Sequence, residues 1–262
     1  MDCKAIKYTE SENVATIMLN RPEKRNAINE TMMEELLNCV NFCEENANIR
    51  AIVLTGNGKA FCSGGDLDEV ELSTSSPCLR IKRFLNAGHP FLLEIRRVSK
   101  PVIAAVNGPA FGGGFALALS CDLIIASKSA SFKSPYVSIG LSPDGGLSYI
   151  LPRLLGDKRA AWLMFTGDAV DAREGYEMGF VNKVVEDNEL LIEANALAKK
   201  LATSATLAIA RTKELINRSW HESIETQMEY EKQSLARLFL TGDVREAITA
   251  FRDKQKPKNK RS

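Results

Sequence analysis

The stretch Lys100–Ser127, KPVIAAVNGPAFGGGFALALSCDLIIAS, decides how the chain is built. Two short apolar runs rich in β-branched residues, PVIAAVNG (101–108) and CDLIIAS (121–127), flank a glycine triplet and the helical segment FALALS. These short β-branched runs read as buried strands, and their alternation with helical segments argues for an α/β fold whose loops at one end of the strands carry the site. Glycine triplets are costly in conformational entropy, so one at a helix start implies that something approaches the backbone closely. A dinucleotide site is disfavoured, because Leu117 stands where the third glycine of GxGxxG belongs. What remains is a helix N-terminus whose free N–H groups and dipole favour an oxygen carrying negative charge.

Working outward, a third strand candidate, AIVLTG (51–56), runs into a second glycine-rich loop, GNGKAFCSGGDL (56–67). Lys59 is followed by Ala60 and the glycine spacing is wrong, so this is no phosphate-binding P-loop. A tight turn explains the loop taken alone; together, two such loops at strand ends predict an oxyanion hole. Alternation in KAIKYTESENVATIMLNRP predicts a hairpin turning at Ser11–Asn13, and Met32, Met33, Leu36, Leu37, Val40 and Phe42 predict an amphipathic helix over 29–46. From about residue 157 helical periodicity dominates, interrupted by the strand-like VNKVV. The stripe Leu201, Ala205, Ala208 and Ile209 suits either a core or a subunit interface.

A chain of 262 residues, 45% hydrophobic, has ample material for a sizeable core. With 34 basic and 33 acidic side chains there is no electrostatic case for nucleic acid as a partner; only the terminal KQKPKNKRS is strongly basic. Six cysteines without a CxxC pair, and two histidines, predict reduced, mostly buried thiols and no metal site. No apolar run reaches membrane-spanning length and MDCKAIKYTESENV lacks a signal-peptide core, so a soluble, cytoplasmic protein without a membrane partner is expected.

The chemistry needs a base. There is no G-x-S-x-G elbow, and two histidines leave little room for a Ser-His-Asp triad, so a carboxylate is the natural substitute. In GLSPDGGLSYILPR (140–153), Asp144 lies between a proline and two glycines at an apparent helix start. It reads as a helix N-cap or as that base, and the residues alone leave both open.

Four blocks, RPEKRNAIN (21–29), AFCSGGDL (60–67), the opening stretch and GLSPDGGLSYILPRLLG (140–156), resemble the crotonase, or enoyl-CoA hydratase/isomerase, superfamily, in order and over essentially the whole chain. The enoyl-CoA isomerases and phenylacetate-pathway isomerases look most similar, through PDGG and the later LPR. The resemblance implies an α/β fold: a crotonase-like spiral of ββα units over residues 1–200, and a helical region over 201–262 for trimerisation and cover of the CoA pocket. It implies an acyl-CoA thioester as substrate, no cofactor beyond that coenzyme A, and a homotrimer or a dimer of trimers. Carried over residue by residue, the N–H groups of Gly65 and Gly113 polarise the thioester carbonyl, and Asp144 matches the acidic residue of the double-bond isomerases.

The departures set the expected reaction. Where superfamily hydratases carry two glutamates, this chain has Ala116 and Tyr136, so addition of water lacks an evident agent. Isomerisation of a 3-enoyl to a 2-enoyl thioester, with Asp144 shuttling one proton, is the expected activity. By the same resemblance, Lys24, Arg25, Phe251 and Lys254 are candidates for CoA, and Ala27, Ala60, Ser63, Gly64, Asp66, Leu67, Tyr136 and Leu141 for the rest of the substrate. Residues 70–92 are expected to form much of the acyl pocket. The alternatives are an aryl-CoA dehalogenase-like reaction with His89 activating water, another hydrolase or hydratase activity, and an inactive acyl-CoA-binding scaffold.

Overall fold

In the computed structural model, which describes residues 3–69 and 76–253, the chain opens on the expected hairpin. Strands β1 (Ile6–Ser11) and β2 (Val14–Leu19) pair antiparallel from Ile6 opposite Leu19 to Ser11 opposite Val14. The loop is Glu12–Asn13, both at positive φ (51° and 65°), the two-residue geometry that matches strand twist. Helix α1 (Glu30–Glu45) starts where the Asn29 side chain accepts the Met32 N–H at 3.0 Å. Its buried stripe ends in Cys43, which continues the row from Leu36 and Cys39. Phe42, expected in that stripe, lies on the outer side, 40% exposed and edge-on to Tyr8.

The chain continues through β3 (Ala51–Gly56), α2 (Pro77–Arg97), β4 (Val102–Val106), β5 (Pro109–Phe111), α3 (Gly113–Ser120), β6 (Leu123–Ser127) and β7 (Ser131–Lys133). Then come α4 (Leu147–Leu155), α5 (Asp157–Thr166), β8 (Ala169–Asp171), α6 (Ala172–Met178), β9 (Lys183–Val185) and α7 (Leu190–Ala202). Helices α8 (Thr206–Arg218), α9 (Ile224–Leu238) and α10 (Gly242–Arg252) close the described chain.

Six strands form one sheet in the order β1-β2-β3-β4-β6-β9, parallel from β2 onward, and β5, β7 and β8 form a second. Successive side chains of a strand point to opposite faces, so the same runs feed two cores. Ile52, Leu54, Val102, Ala104 and Val106 join α1, α2 and α3 on one face. Val53, Ile103, Ala105 and Ile125 meet Leu190, Ala194, Ala198 and Ala202 of α7 on the other. Alanines at every fourth position let α7 lie close against the sheet.

The path repeats. A strand in the large sheet is followed by a return segment beside or within the small one, and then by a helix: β2, Ile28 and α1; β3, Cys62 and α2; β4, β5 and α3; β6, β7 and α4. Ile28 bridges Gly65, and Cys62 bridges Ala110, so consecutive turns are laced together at their return segments. This is the spiral of ββα units. It stacks the strand-to-helix junctions of neighbouring turns side by side. Helix α8 is tied to the body through Lys213, whose ammonium donates to the carbonyls of Ile95 and Lys100 and to Asp122. Among the described residues no helix is long and apolar enough to cross a membrane.

Candidate active site

Two of those stacked junctions present backbone amides to one space. In the bridge between Ile28 and Gly65, the Ile28 N–H donates to Gly64 O and the Asp66 N–H to Ile28 O, each at 2.8 Å. The Gly65 amide therefore points the other way. Gly113 is the first residue of α3, where the N–H has no carbonyl one turn back to receive it. A β-carbon built on Gly113 would sit 3.6 Å from the Gly65 nitrogen, and both glycines line one cavity. Among the described residues neither donates to a protein acceptor.

The glycine triplet is explained by this approach. A β-carbon on Gly114 would fall 2.1 Å from Cys62 O, a distance no side chain tolerates, so only glycine lets the two turns meet. Gly112 holds φ 52° and ψ −119° and donates to Lys133 O at 2.9 Å, turning the chain from β5 into the helix.

Asp144 is not an N-cap. Helix α4 begins at Leu147 behind Gly146, which takes the cap position at φ 85° with no side-chain cap bond. Only the Asp144 backbone carbonyl serves the helix, accepting the Leu147 N–H at 3.1 Å. The carboxylate instead accepts a hydrogen bond from the Tyr136 hydroxyl. Burial, and then the adjacent Asp144 charge, push the Tyr136 phenol well above its ordinary value, so it remains a protonated donor across the working pH range.

Gly65, Gly113, Asp144 and Tyr136 line one cavity of about 290 Å³. Its walls are mostly apolar: Ile81, Phe84, Leu85 and Leu92 from α2, with Ile28 and Leu141. Among the described residues lining it, Asp144 is the only carboxylate. His89 lies on the same wall as the α2 residues. The hydratase positions hold no acid: Ala116 is wholly buried, and a β-carbon on Gly145 would fall 2.7 Å from its methyl, so the two pack without a gap.

The remaining sequence candidates divide. Ser63, Gly64, Leu67 and Leu141 line the cavity. Lys24 and Arg25 lie beside its rim: the Ser63 N–H donates to Arg25 O at 3.0 Å, and Lys24 pairs with Asp68 at the surface. Ala27 and Ala60 are buried behind the loops, and Ala60 O accepts from the buried Asn26 amide at 2.8 Å. Asp66 faces away from the cavity: its carboxylate is held by Arg21 at 2.8 Å and also caps the Asp68 N–H, which marks it as a loop fastener. Phe251, on α10, is 84% exposed and does not reach the cavity. Lys254 and residues 70–75 lie outside the described residues. The α2 wall carries no motif; a 3.6-residue apolar period after Pro77 is the only signal that points to it.

The profile of the family described as Enoyl-CoA hydratase/isomerase matches residues 9–262. The chain belongs to this family, within the crotonase superfamily. This family member is 36% identical to the 1,2-epoxyphenylacetyl-CoA isomerase of Escherichia coli (strain K12) over 250 residues, covering 94% of each chain. It is 37% identical to the short-chain-enoyl-CoA hydratase of Clostridium acetobutylicum over 245 residues, covering 93% of this chain and 92% of the relative. Among solved structures, an enoyl-CoA hydratase from Polaromonas sp. JS666 superposes with a TM-score of 0.94 at 35% identity, over 98% of this chain and 100% of the other. The spiral fold and the class, a crotonase-family enzyme acting on acyl-CoA thioesters, follow. Relatives at nearly the same identity carry isomerase and hydratase names, so the reaction must be sought in the cavity.

Proposed function

We propose that the protein isomerises the double bond of an enoyl-CoA, converting a 3-enoyl to a 2-enoyl thioester. The observation that carries this reading is that Asp144 is the only carboxylate among the described residues of a cavity that also presents the two free amides. The thioester oxygen accepts from the Gly65 and Gly113 N–H groups, and charge developing on it is met by preorganised donors, each worth roughly 3–4 kcal/mol. Asp144 removes a proton from C2, and the C–H electron pair delocalises through C1 onto that oxygen and over the existing double bond, giving a dienolate. The protonated Asp144 returns the proton to C4, the double bond settles between C2 and C3, and the base is regenerated. One group works in both steps when the proton leaves C2 and returns to C4 on the same face of the acyl chain. Tyr136, donating to the carboxylate, orients it between them.

Hydration needs an activated water, and neither Ala116 nor Tyr136 supplies a base for one. The test is an activity screen of 3-enoyl-CoA esters of graded length beside a crotonyl-CoA hydration control. Isomerisation well above hydration is expected; hydration equal to or faster than isomerisation would overturn the proposal. A second reading, aryl-thioester dehalogenation with Asp144 as nucleophile, is favoured by His89 lining the same cavity. Chloride release from a chlorobenzoyl-CoA is its assay. Assembly into a trimer or hexamer is supported by the exposed apolar residues Ile224, Met228, Leu235, Phe239 and Leu240, and light scattering tests it.

A further inference from the structure

The wall of the acyl cavity is shared with a second chamber. His89, Leu92 and Gly145 line both, and the second chamber, of about 400 Å³, continues along α2 toward α8. Its lining differs in kind. Arg96, Arg97, His89 and His221 face it, and among the described lining residues there is no carboxylate.

Arg96 is the organised member of that set. Its guanidinium donates to Asn217 Oδ1 at 2.6 Å, while the Asn217 amide returns a bond to the Arg96 carbonyl at 2.8 Å, so the side chain is held at both ends. It stacks over Trp220 at 4.9 Å, and among the described residues it has no acidic partner within salt-bridge distance. The nearby Asp122 carboxylate is engaged by Lys213 and by the Val102 N–H. A fixed, half-buried guanidinium with donors left for a cavity is preorganised for the two oxygens of a carboxylate. His89, Leu92 and Arg96 fall at i, i+3 and i+7, on one face of α2, and seven residues span about 10 Å of helix. The Arg96 side chain lines this second chamber together with Asn217 and Trp220.

We infer that the second chamber is a specificity site for a carboxylate at the far end of the acyl chain, so that the substrate class includes CoA half-thioesters of dicarboxylic acids. The thioester end lies at Gly65 and Gly113, the chain passes His89, and the distal carboxylate meets Arg96. This rests on the acyl-CoA site proposed above but not on turnover, so it is tested by binding alone. Calorimetry compares adipyl-, suberyl- and sebacyl-CoA with hexanoyl-, octanoyl- and decanoyl-CoA on the full-length protein, none of which can be isomerised.

At one or more lengths the carboxylated ester is expected to bind at least about tenfold tighter. Arg96→Gln is expected to erase that preference while leaving the plain ester unchanged. Equal affinity for both members of every pair would overturn the inference, and this wild-type comparison does not depend on any variant folding. So would a preference that survives in both Arg96→Gln and Arg97→Gln. Binding of free adipate without any preference among the esters would mark an isolated anion site instead, and would equally overturn it. Loss of isomerase activity with the binding preference intact would count against the proposed reaction only.

Discussion

Two neighbouring glycines make the oxyanion geometry testable, because the same substitution should affect stability in opposite directions at each. A β-carbon on Gly113 finds Ile28 Cδ1 at 3.5 Å, Gly65 N at 3.6 Å and Gly64 Cα at 3.8 Å, all ordinary contacts. Gly113→Ala should therefore fold, and at a first-turn position it gains up to about 1 kcal/mol of helix propensity. The new methyl nevertheless lies 3.6 Å from the Gly65 nitrogen, crowding the place proposed for the thioester oxygen. Losing one oxyanion donor costs about 2.7–4 kcal/mol, a fall of roughly 10²–10³ in kcat. Gly114→Ala meets Cys62 O at 2.1 Å, so the loops must part by about 0.9 Å to reach even the 3.0 Å floor. That overpacking costs about 1–3 kcal/mol of stability, and a misplacement of that size also costs roughly 10²-fold in rate. Thermal unfolding and 3-enoyl-CoA isomerisation, followed by the absorbance of the conjugated product, read both effects. A Gly113→Ala enzyme that folds and keeps near-wild-type kcat would refute the amide pairing, as would a Gly114→Ala protein as stable as its parent.

Tyr136→Phe removes the hydrogen bond to the Asp144 carboxylate, worth about 1.5–3 kcal/mol for a charged acceptor, and should lower kcat roughly 10- to 100-fold with little change in KM. A raised KM at unchanged kcat would instead make Tyr136 a wall of the pocket. The buried Asn26 side chain accepts from the Arg21 N–H at 2.9 Å and donates to Asn57 O and Ala60 O at 2.9 and 2.8 Å; Asn26→Ala should cost about 2–3 kcal/mol in a denaturant titration. A change within experimental error would show that the loops do not depend on it. Burial pushes the Cys62 thiol up to about 12 and raises Cys121 as well, whereas Cys78 is exposed. At neutral pH a maleimide should label Cys78 in the native protein and spare Cys62 and Cys121, as peptide mass mapping would reveal. Labelling of Cys62 at the same rate as Cys78 would contradict that burial.

Much of this was legible in the residues because the informative features are local. The strand AIVLTG has the bounds expected, since an unbroken β-branched run between polar loops has few other solutions. The glycine loops announced a close approach, and Gly114 against Cys62 O is that approach. The small sheet was not legible: β5, β7 and β8 are three residues each, too short for a period of two to register. Asp144 was ambiguous because a cap and a base share one sequence signature; the helix start at Leu147 removes the cap. Asp66 reads as a ligand contact from its place in GGDL, yet a residue forty-five positions away, Arg21, claims its carboxylate, and no local pattern encodes that. The α2 wall, made of ordinary apolar side chains, becomes part of a cavity only through the spiral that sets it opposite the loops.

The central claim is that one carboxylate carries the proton in both directions. Asp144→Asn, measured for 3-enoyl-CoA turnover and, separately, for binding of a saturated acyl-CoA, tests it most directly. The structure predicts a rate lowered about 10²–10⁴-fold with thioester affinity nearly unchanged; turnover at the wild-type rate in that variant would contradict it.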